Sequence, residues 1–287
     1  MTKATNTSRD FVTPGVSRGL FDVFGSTYLL SLLVRQGIKV RYRGSSLGWI
    51  WSYVKPAAQF AVYFVAFGII FRMAHGNNYS VMLFSGLVAI NLFNESLSNA
   101  TSSIVSNAAL VKKIYLPREL FPLSAVIVAF VHFLPQVAIL LAGCIFFGYA
   151  PTFMSLLAFL FGLVILLILA TGLGLFFGSI NAKFRDAQNF VDLILMLVTW
   201  LSPVLYTVTL VQEHLSTFWF EMYMSTPITA AVNLFHEAFW APTHHSGATE
   251  IPNLWLYGLI GLGYSLITLA LGQLVFTKME RTFAQVV

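Results

Sequence analysis

Six stretches of this chain are apolar for long enough to cross a bilayer, and they leave little length for anything else. A hydrocarbon core about 30 Å thick takes roughly 20 residues of helix. Inside it every backbone N–H and C=O must be satisfied within the protein, so the spans are helices. The runs lie at 53–71, 80–106, 121–147, 153–180, 190–210 and 255–276. Only 9% of residues are charged and the mean hydropathy is +0.79, whereas soluble domains carry about 25% charge. The pattern predicts an all-α integral membrane protein whose 287 residues form a single transmembrane domain.

The polar segments set its orientation. Residues 1–25 are too polar for a secretory signal with its apolar centre and are expected to form a cytoplasmic tail. Residues 26–43 place Arg35, Lys39 and Arg43 four apart, with Leu29, Leu30, Leu33, Val34 and Val40 elsewhere around the helix. That segment is too short and too charged to span, and it predicts an amphipathic helix in the interface plane. Fifteen of the sixteen Lys and Arg residues fall on one side of the six-span reading, the exception being Arg72. The loop 211–252 carries Glu213, Glu221, Glu237 and Glu250 but no Lys or Arg. Cytoplasmic loops hold the positive excess, so both termini are expected in the cytoplasm and 211–252 outside. Within that loop, Asn233, His236 and Glu237 share a helical face opposite Ile228, Val232, Phe235 and Phe239, which predicts an amphipathic helix at the outer interface.

Several chemistries are absent. The net charge of +5 sits in short membrane-flanking loops, which suits anionic headgroups or an acidic partner surface and gives no nucleic-acid face. Cys144 is the one cysteine, excluding an intramolecular disulfide and thiolate metal sites. No Lys follows a Gly, so the phosphate-cradling G-x-x-x-x-G-K-[ST] loop is missing. If ATP and Mg drive the protein, a separate subunit binds them, and no cofactor is expected in this chain. No H-E-x-x-H occurs, and Gly261-x-Gly263-x-Ser265 puts its serine at the wrong place for a nucleophile elbow. Neither a catalytic residue nor a metal site is expected.

Two stripes are candidates for a substrate path. In the second span, Asn91, Asn94, Glu95, Ser98, Ser102 and Ser106 lie within about 60° of one line at helical spacing. Facing lipid they would be costly, so they line a water-filled path or bond neighbouring helices. A carboxylate at mid-membrane costs about 3 kcal/mol on insertion scales, which turns Glu95 inward. In the first span, Trp49, Tyr53, Phe60, Phe64, Phe67 and Phe71 project within roughly 40° of one direction, giving either a track for sugar rings or ordinary packing. His132 reads as a proton relay or a packing histidine, and Asp192 as a partner for Arg185 or water. Ala170, Gly174 and Gly178 are four apart, a pattern that lets helices approach closely.

Three segments, in order, resemble the membrane subunits of ABC-2 type polysaccharide exporters. They are residues 34–51 (VRQGIKVRYRGSSLGWIW) with Pro56 after them, residues 110–120 (LVKKIYLPREL), and residues 181–186 (NAKFRD) leading to 202–206 (SPVLY). The likeness covers about residues 28–285 and is nearest to actinobacterial members that export a cell-wall galactan. It implies a homodimer with two ATP-binding cassette subunits in the bacterial cytoplasmic membrane, moving a polyprenyl-diphosphate-linked glycan through a channel lined mainly by spans 1, 2 and 5. It also implies that Arg35, Lys39, Arg41 and Arg43 lie where the lipid diphosphate is admitted, a sensible use of forked Arg donors. Lys112, Lys113, Tyr115, Arg118 and Glu119 become candidates for coupling to the ATPase.

Two other classes compete. An ion-coupled secondary transporter would use Glu95, Asp192 and His132, but no inverted repeat is evident between 50–150 and 151–280. A membrane transferase acting on polyprenyl-linked sugars would need clustered acids, and Asp10, Asp22, Glu119, Asp186 and Glu280 are scattered.

Overall fold

A computed structural model describes residues 19, 23, 25–41, 44, 48–72, 78–113, 116–243 and 251–286. Arg43 and Tyr115 lie outside the described residues, as do the side chains of Arg41 and Trp49 and most of the 1–25 tail. Helix α1 runs Thr27–Arg41. A short turn at Gly48–Ile50 leads into α2, Trp51–Tyr63, which continues through Phe64–Ile70 as wider π-type turns. Then come α3 (Tyr79–Ser106), α4 (Ala108–Lys113), α5 (Leu120–Phe146), α6 (Phe153–Lys183) and α7 (Asp186–Leu201). Short helices α8 (Val208–His214), α9 (Thr217–Met224) and α10 (Pro227–Phe235) precede the last long helix, α11 (Leu254–Val286).

Among the described residues, five helices are long and apolar enough to cross a membrane: Trp51–Ile70, Tyr79–Ser106, Leu120–Phe146, Phe153–Lys183 and Leu254–Phe283. The run at 190–210 behaves differently. Helix α7 has 16 residues and stops at Leu201, about 24 Å at 1.5 Å per residue. Pro203 is the cause, because the residue before a proline is pushed out of the helical region, and Ser202 is extended with ψ 153°. The carbonyls left over at the helix end are taken by the Tyr206 hydroxyl, which donates to Leu201 O at 2.8 Å and Trp200 O at 3.2 Å.

Helix α3 is the centre of the bundle. In its apolar window 72% of residues are buried, against 6% for α2, so α3 is the post and α2 an outer strut. Its face opposite the polar stripe packs on α6 through small residues. A Cβ added at Gly174 would sit 2.5 Å from Ala100 Cβ, so only glycine permits this approach. Asn181 Nδ2 ties the same pair by donating to Thr101 O at 3.1 Å. Helix α6 begins with a capping box, Thr152 Oγ1 accepting from Ser155 N while Ser155 Oγ accepts from Thr152 N.

Helix α10 is not the surface helix that its pattern suggests. Thr229 through Phe235 are all buried, and Gly162 of α6 has Ala231 O within 3.1 Å of where its Cβ would stand. Phe235 meets Phe133 and Phe159 edge-on at 6.1 and 5.5 Å. The chain dips into the bundle between α3, α6 and α11 and returns, a re-entrant arrangement allowed because protein surrounds it. Its polar residues are sheltered there: Asn233 is 0% and His236 5% exposed.

At the end that carries Lys112 and Lys113, a small core of Ile104, Val111, Phe121, Ala182, Phe276 and Phe283 joins α3, α4, α5, α6 and α11. Leu33 of α1 packs on it, and Gly37 lies against Val128 of α5.

Candidate functional site

Three helices each turn a polar row toward one cavity of about 560 Å³. Ser52, Lys55 and Gln59 come from α2, Asn91, Asn94 and Glu95 from α3, and His132 and Gln136 from α5. The spacings are those of a single helical face: 52, 55, 59; then 91, 94, 95; then 132, 136. Pro56 lines the cavity and Pro135 directly precedes Gln136, each removing a backbone N–H from its helix. Glu95 Oε1 and His132 Nδ1 are 2.7 Å apart, with the side chains 20% and 2% exposed. The carboxylate therefore faces the cavity while the ring is enclosed. Gln136 is 6% exposed and donates Nε2 to His132 O at 3.3 Å. Among the described residues its buried Oε1 has no hydrogen-bond partner, and neither does the buried Asn94 Oδ1.

The rest of the α3 stripe divides. Asn94 Nδ2 donates to Thr199 Oγ1 of α7 at 3.0 Å, and Ser98 Oγ accepts from Gln188 Nε2 at the same distance. Gln188 also donates to Asp192, at 3.1 Å. The stripe thus bonds α7 along one flank and borders open space along the other. Further toward the basic end, Asn99, Ser102, Ser106 and Asn107 line a second cavity of about 520 Å³, closed by Gln36 and Gly37 of α1 and Ser124 of α5. Among the described residues, its lining carries no charge. Ser102, Ser106 and Ser124 spend their protons on carbonyls of their own helices, which leaves their oxygens as acceptors.

The aromatic row of α2 does not share this arrangement. Among the described side chains of the row, Tyr53, Phe60, Phe64, Phe67 and Phe71 lie outside the lining of the polar cavity, which takes Trp51 instead. Phe60 and Phe64 stack at 5.7 Å and turn to Phe84 and Tyr79 of α3. Tyr53 and Phe60 line a separate apolar space beside Cys144. Phe67 leaves that line and meets Trp200 of α7 at 6.3 Å, and Phe71 is 66% exposed. The π-type turns explain the split. Phe71 N bonds Ala66 O, five residues back, so the angular step that aligns the row in a regular helix is lost after Phe64.

The basic-end residues also separate. Lys112 and Lys113 are exposed at the end of α4, whereas Glu119 is 0% exposed. Glu119 Oε1 accepts from Gln273 Nε2 of α11 at 3.2 Å, and Arg118 lies over the Phe283 ring at 5.8 Å. Lys112 and Lys113 stand exposed, while the half-buried Arg118 and the buried Glu119 hold the connection to α11. Arg35 and Lys39 are exposed on α1, away from Leu33 and Gly37. At the opposite end, the hydroxyls of Tyr206 and Tyr223 are 3.5 Å apart.

Sequence reasoning missed Ser52, Lys55, Gln59 and Gln136. Their signal was available as polar residues at helical intervals, but each row is short, and His132 finds its partner on another helix.

Residues 28–240 match the ABC-2 type transporter family. The chain belongs to that family. It is 29% identical over 266 residues to the O-antigen export system permease protein RfbA of Klebsiella pneumoniae, covering 90% of this chain and 96% of that protein. Against the RfbA protein of Myxococcus xanthus it is 31% identical over 188 residues, 65% of this chain and 71% of that one. The polysialic acid transport protein KpsM of Escherichia coli is 22% identical over 237 residues, 81% and 88% of the two chains. As an ABC-2 permease, the protein is a multi-pass component of the cytoplasmic membrane.

Proposed function

We propose that this ABC-2 permease is the membrane-spanning half of an ATP-driven exporter of polysaccharide, and that its cargo is a polyprenyl-diphosphate-linked glycan of the cell-wall galactan or O-antigen kind. Two copies pair, and two ATP-binding cassette subunits supply ATP and Mg chemistry from the cytoplasm. The observation that carries this reading is the convergence of polar rows from α2, α3 and α5 inside an otherwise apolar bundle. It has the character of a path for hydroxyl-rich cargo and lies in a chain whose relatives are named for O-antigen export. The one-sided distribution of Lys and Arg supports both termini in the cytoplasm. In that orientation the α7 segment completes the sixth passage with the help of the re-entrant α10 segment.

In this mechanism the lipid diphosphate meets the basic α1 segment, with Arg35 and Lys39 exposed to it and Arg41 and Arg43 following. The glycan end enters along the α3 stripe. Closure of the ATPases pushes on Lys112 and Lys113, and the small core behind α4 passes the movement to α1, α6 and α11. Depleting the protein in cells tests the reading: lipid-linked glycan should accumulate on the cytoplasmic leaflet while surface glycan falls. Surface glycan at its normal level after depletion contradicts it.

The Glu95–His132 pair is the observation that favours a proton-coupled carrier instead. Transport that follows a pH gradient in vesicles without ATP would support that reading.

A further inference from the structure

We propose that the short helices α8 and α9 form an interfacial anchor, with Leu215, Phe218, Trp219 and Met222 seated in the headgroup layer of the lipid leaflet farther from Lys112 and Lys113. In the orientation proposed above, that is the outer leaflet. Position comes first. Tyr257, in the first turn of α11, donates its hydroxyl to Glu221 Oε2 of α9 at 2.7 Å. Helix α11 is long and apolar enough to span from Leu254 onward, so this bond holds α9 level with the edge of the membrane. Trp255, Leu256 and Leu259, which flank Tyr257 on α11, are exposed apolar groups. The uncovered surface of α9 is thus continuous with that of a spanning helix.

The two faces of α9 decide what covers it. At helical spacing Phe220, Tyr223 and Met224 fall on one side and Phe218, Trp219 and Met222 on the other. The first side packs inward, against the small core of Met224, Ala230 and Tyr257. The second is 66%, 59% and 52% exposed, and Phe218 and Trp219 meet each other edge-on at 5.5 Å. Leu210 and Leu215 extend this exposed apolar surface. A helix beside water carries polar residues on its outer side, whereas an apolar outer side with a tryptophan fits the headgroup layer, where indole rings gather. The lipid chemistry follows from charge. Residues 211–252 hold no Lys or Arg, so anionic headgroups gain nothing here and the contact is with the neutral and apolar parts of the lipid. Helix α1 is the opposite case, with Arg35 and Lys39 exposed. The anchor also bears on the re-entrant segment: Met224, the last residue of α9, is 0% exposed and its Sδ takes Asn233 Nδ2 of α10 at 3.7 Å. Through that joint the leaflet fixes the depth of α10.

The test places a nitroxide label on the full chain, purified with its ATPase partner, in nanodiscs of phosphatidylcholine with or without phosphatidylglycerol. Cys144→Ala first removes the other thiol. Labels on Phe218→Cys and Met222→Cys should relax faster with oxygen than with a water-soluble nickel chelate, at a depth of about 5–10 Å. The depth should be the same in both lipid mixtures, and one that grows with phosphatidylglycerol contradicts the neutral contact. Labels relaxed mainly by nickel stand in water and overturn the proposal. Labels shielded from both reagents are covered by protein and overturn it too, with dipolar broadening between labels identifying a second copy as the cover. Should the cysteine variants fold poorly, tryptophan emission gives an independent reading in unlabelled protein. Lipids brominated near the glycerol backbone should quench the native emission, and Trp219→Phe should remove part of that quenching; quenching that Trp219→Phe leaves unchanged overturns the anchor. Nanodiscs expose both membrane faces, so these outcomes depend neither on which way the protein sits nor on what it exports.

Discussion

Replacing Glu95 and His132 singly and together should expose a large non-additivity. The two side chains meet at 2.7 Å, His132 is 2% exposed, and Glu95 keeps 20% exposure toward the cavity. Leaving one partner of a buried hydrogen-bonded pair unsatisfied costs about 1–3 kcal/mol, and water in the cavity can partly solvate this carboxylate. Glu95→Leu, which takes the acceptor from an enclosed imidazole, is therefore expected to cost about 2–3 kcal/mol. His132→Leu, which leaves the carboxylate beside the cavity, should cost about 1–2 kcal/mol. The double variant removes both polar groups and should lose less than about 1 kcal/mol, a coupling of roughly 3 kcal/mol. Unfolding in mixed micelles titrated with SDS and followed by circular dichroism measures all three. A double variant as unstable as the two single losses added together refutes the pairing. Export by the folded double variant is the second readout. It should fall about tenfold or more if the carboxylate faces cargo, and normal export would reduce the pair to a packing device.

Three other outcomes follow from named contacts. Lys112→Ala with Lys113→Ala should lower transport-coupled ATP hydrolysis while membrane insertion stays normal, measured in reconstituted vesicles; an unchanged transport rate counts against coupling through α4. Gly174→Leu puts a side chain where even a Cβ would be 2.5 Å from Ala100, so overpacking of about 2–3 kcal/mol should exceed the roughly 1 kcal/mol gained in helix propensity; a rise in unfolding free energy would contradict the α3–α6 contact. Glu119→Ala should loosen the Gln273 contact and speed hydrogen exchange in the last turns of α11, and unaltered exchange there would show that this bond bears no stress.

The sequence disclosed those features that depend on one segment at a time. Apolar runs located the long helices, and four-residue spacing located the Gly174 and Gly178 contact surface. The interruption at Pro203 was written in the chain as Ser202-Pro203, but the apolar residues on both sides masked it. Helix α10 misled for a physical reason: Asn233 and His236 look like a solvent face, yet both are buried, and Asn233 Nδ2 is turned to Met224 Sδ at 3.7 Å. The aromatic row does not run straight, because across Phe64–Ile70 the backbone takes the wider π turn in place of a regular 100° step. The polar cavity depends on which faces of three helices meet. Asn91, Asn94 and Glu95 were legible from their stripe, whereas Lys55, Gln59 and Gln136 gain meaning only once α2 and α5 are set beside α3.

The decisive measurement is translocation in proteoliposomes holding the purified permease and a fluorescently tagged lipid-linked glycan, with the ATPase subunits present or omitted. Cargo should reach the protected side only when the ATPase and hydrolysable ATP are both supplied, and the ATPase variant unable to cleave ATP should abolish it. Protected glycan at the same rate from the permease alone would contradict the account.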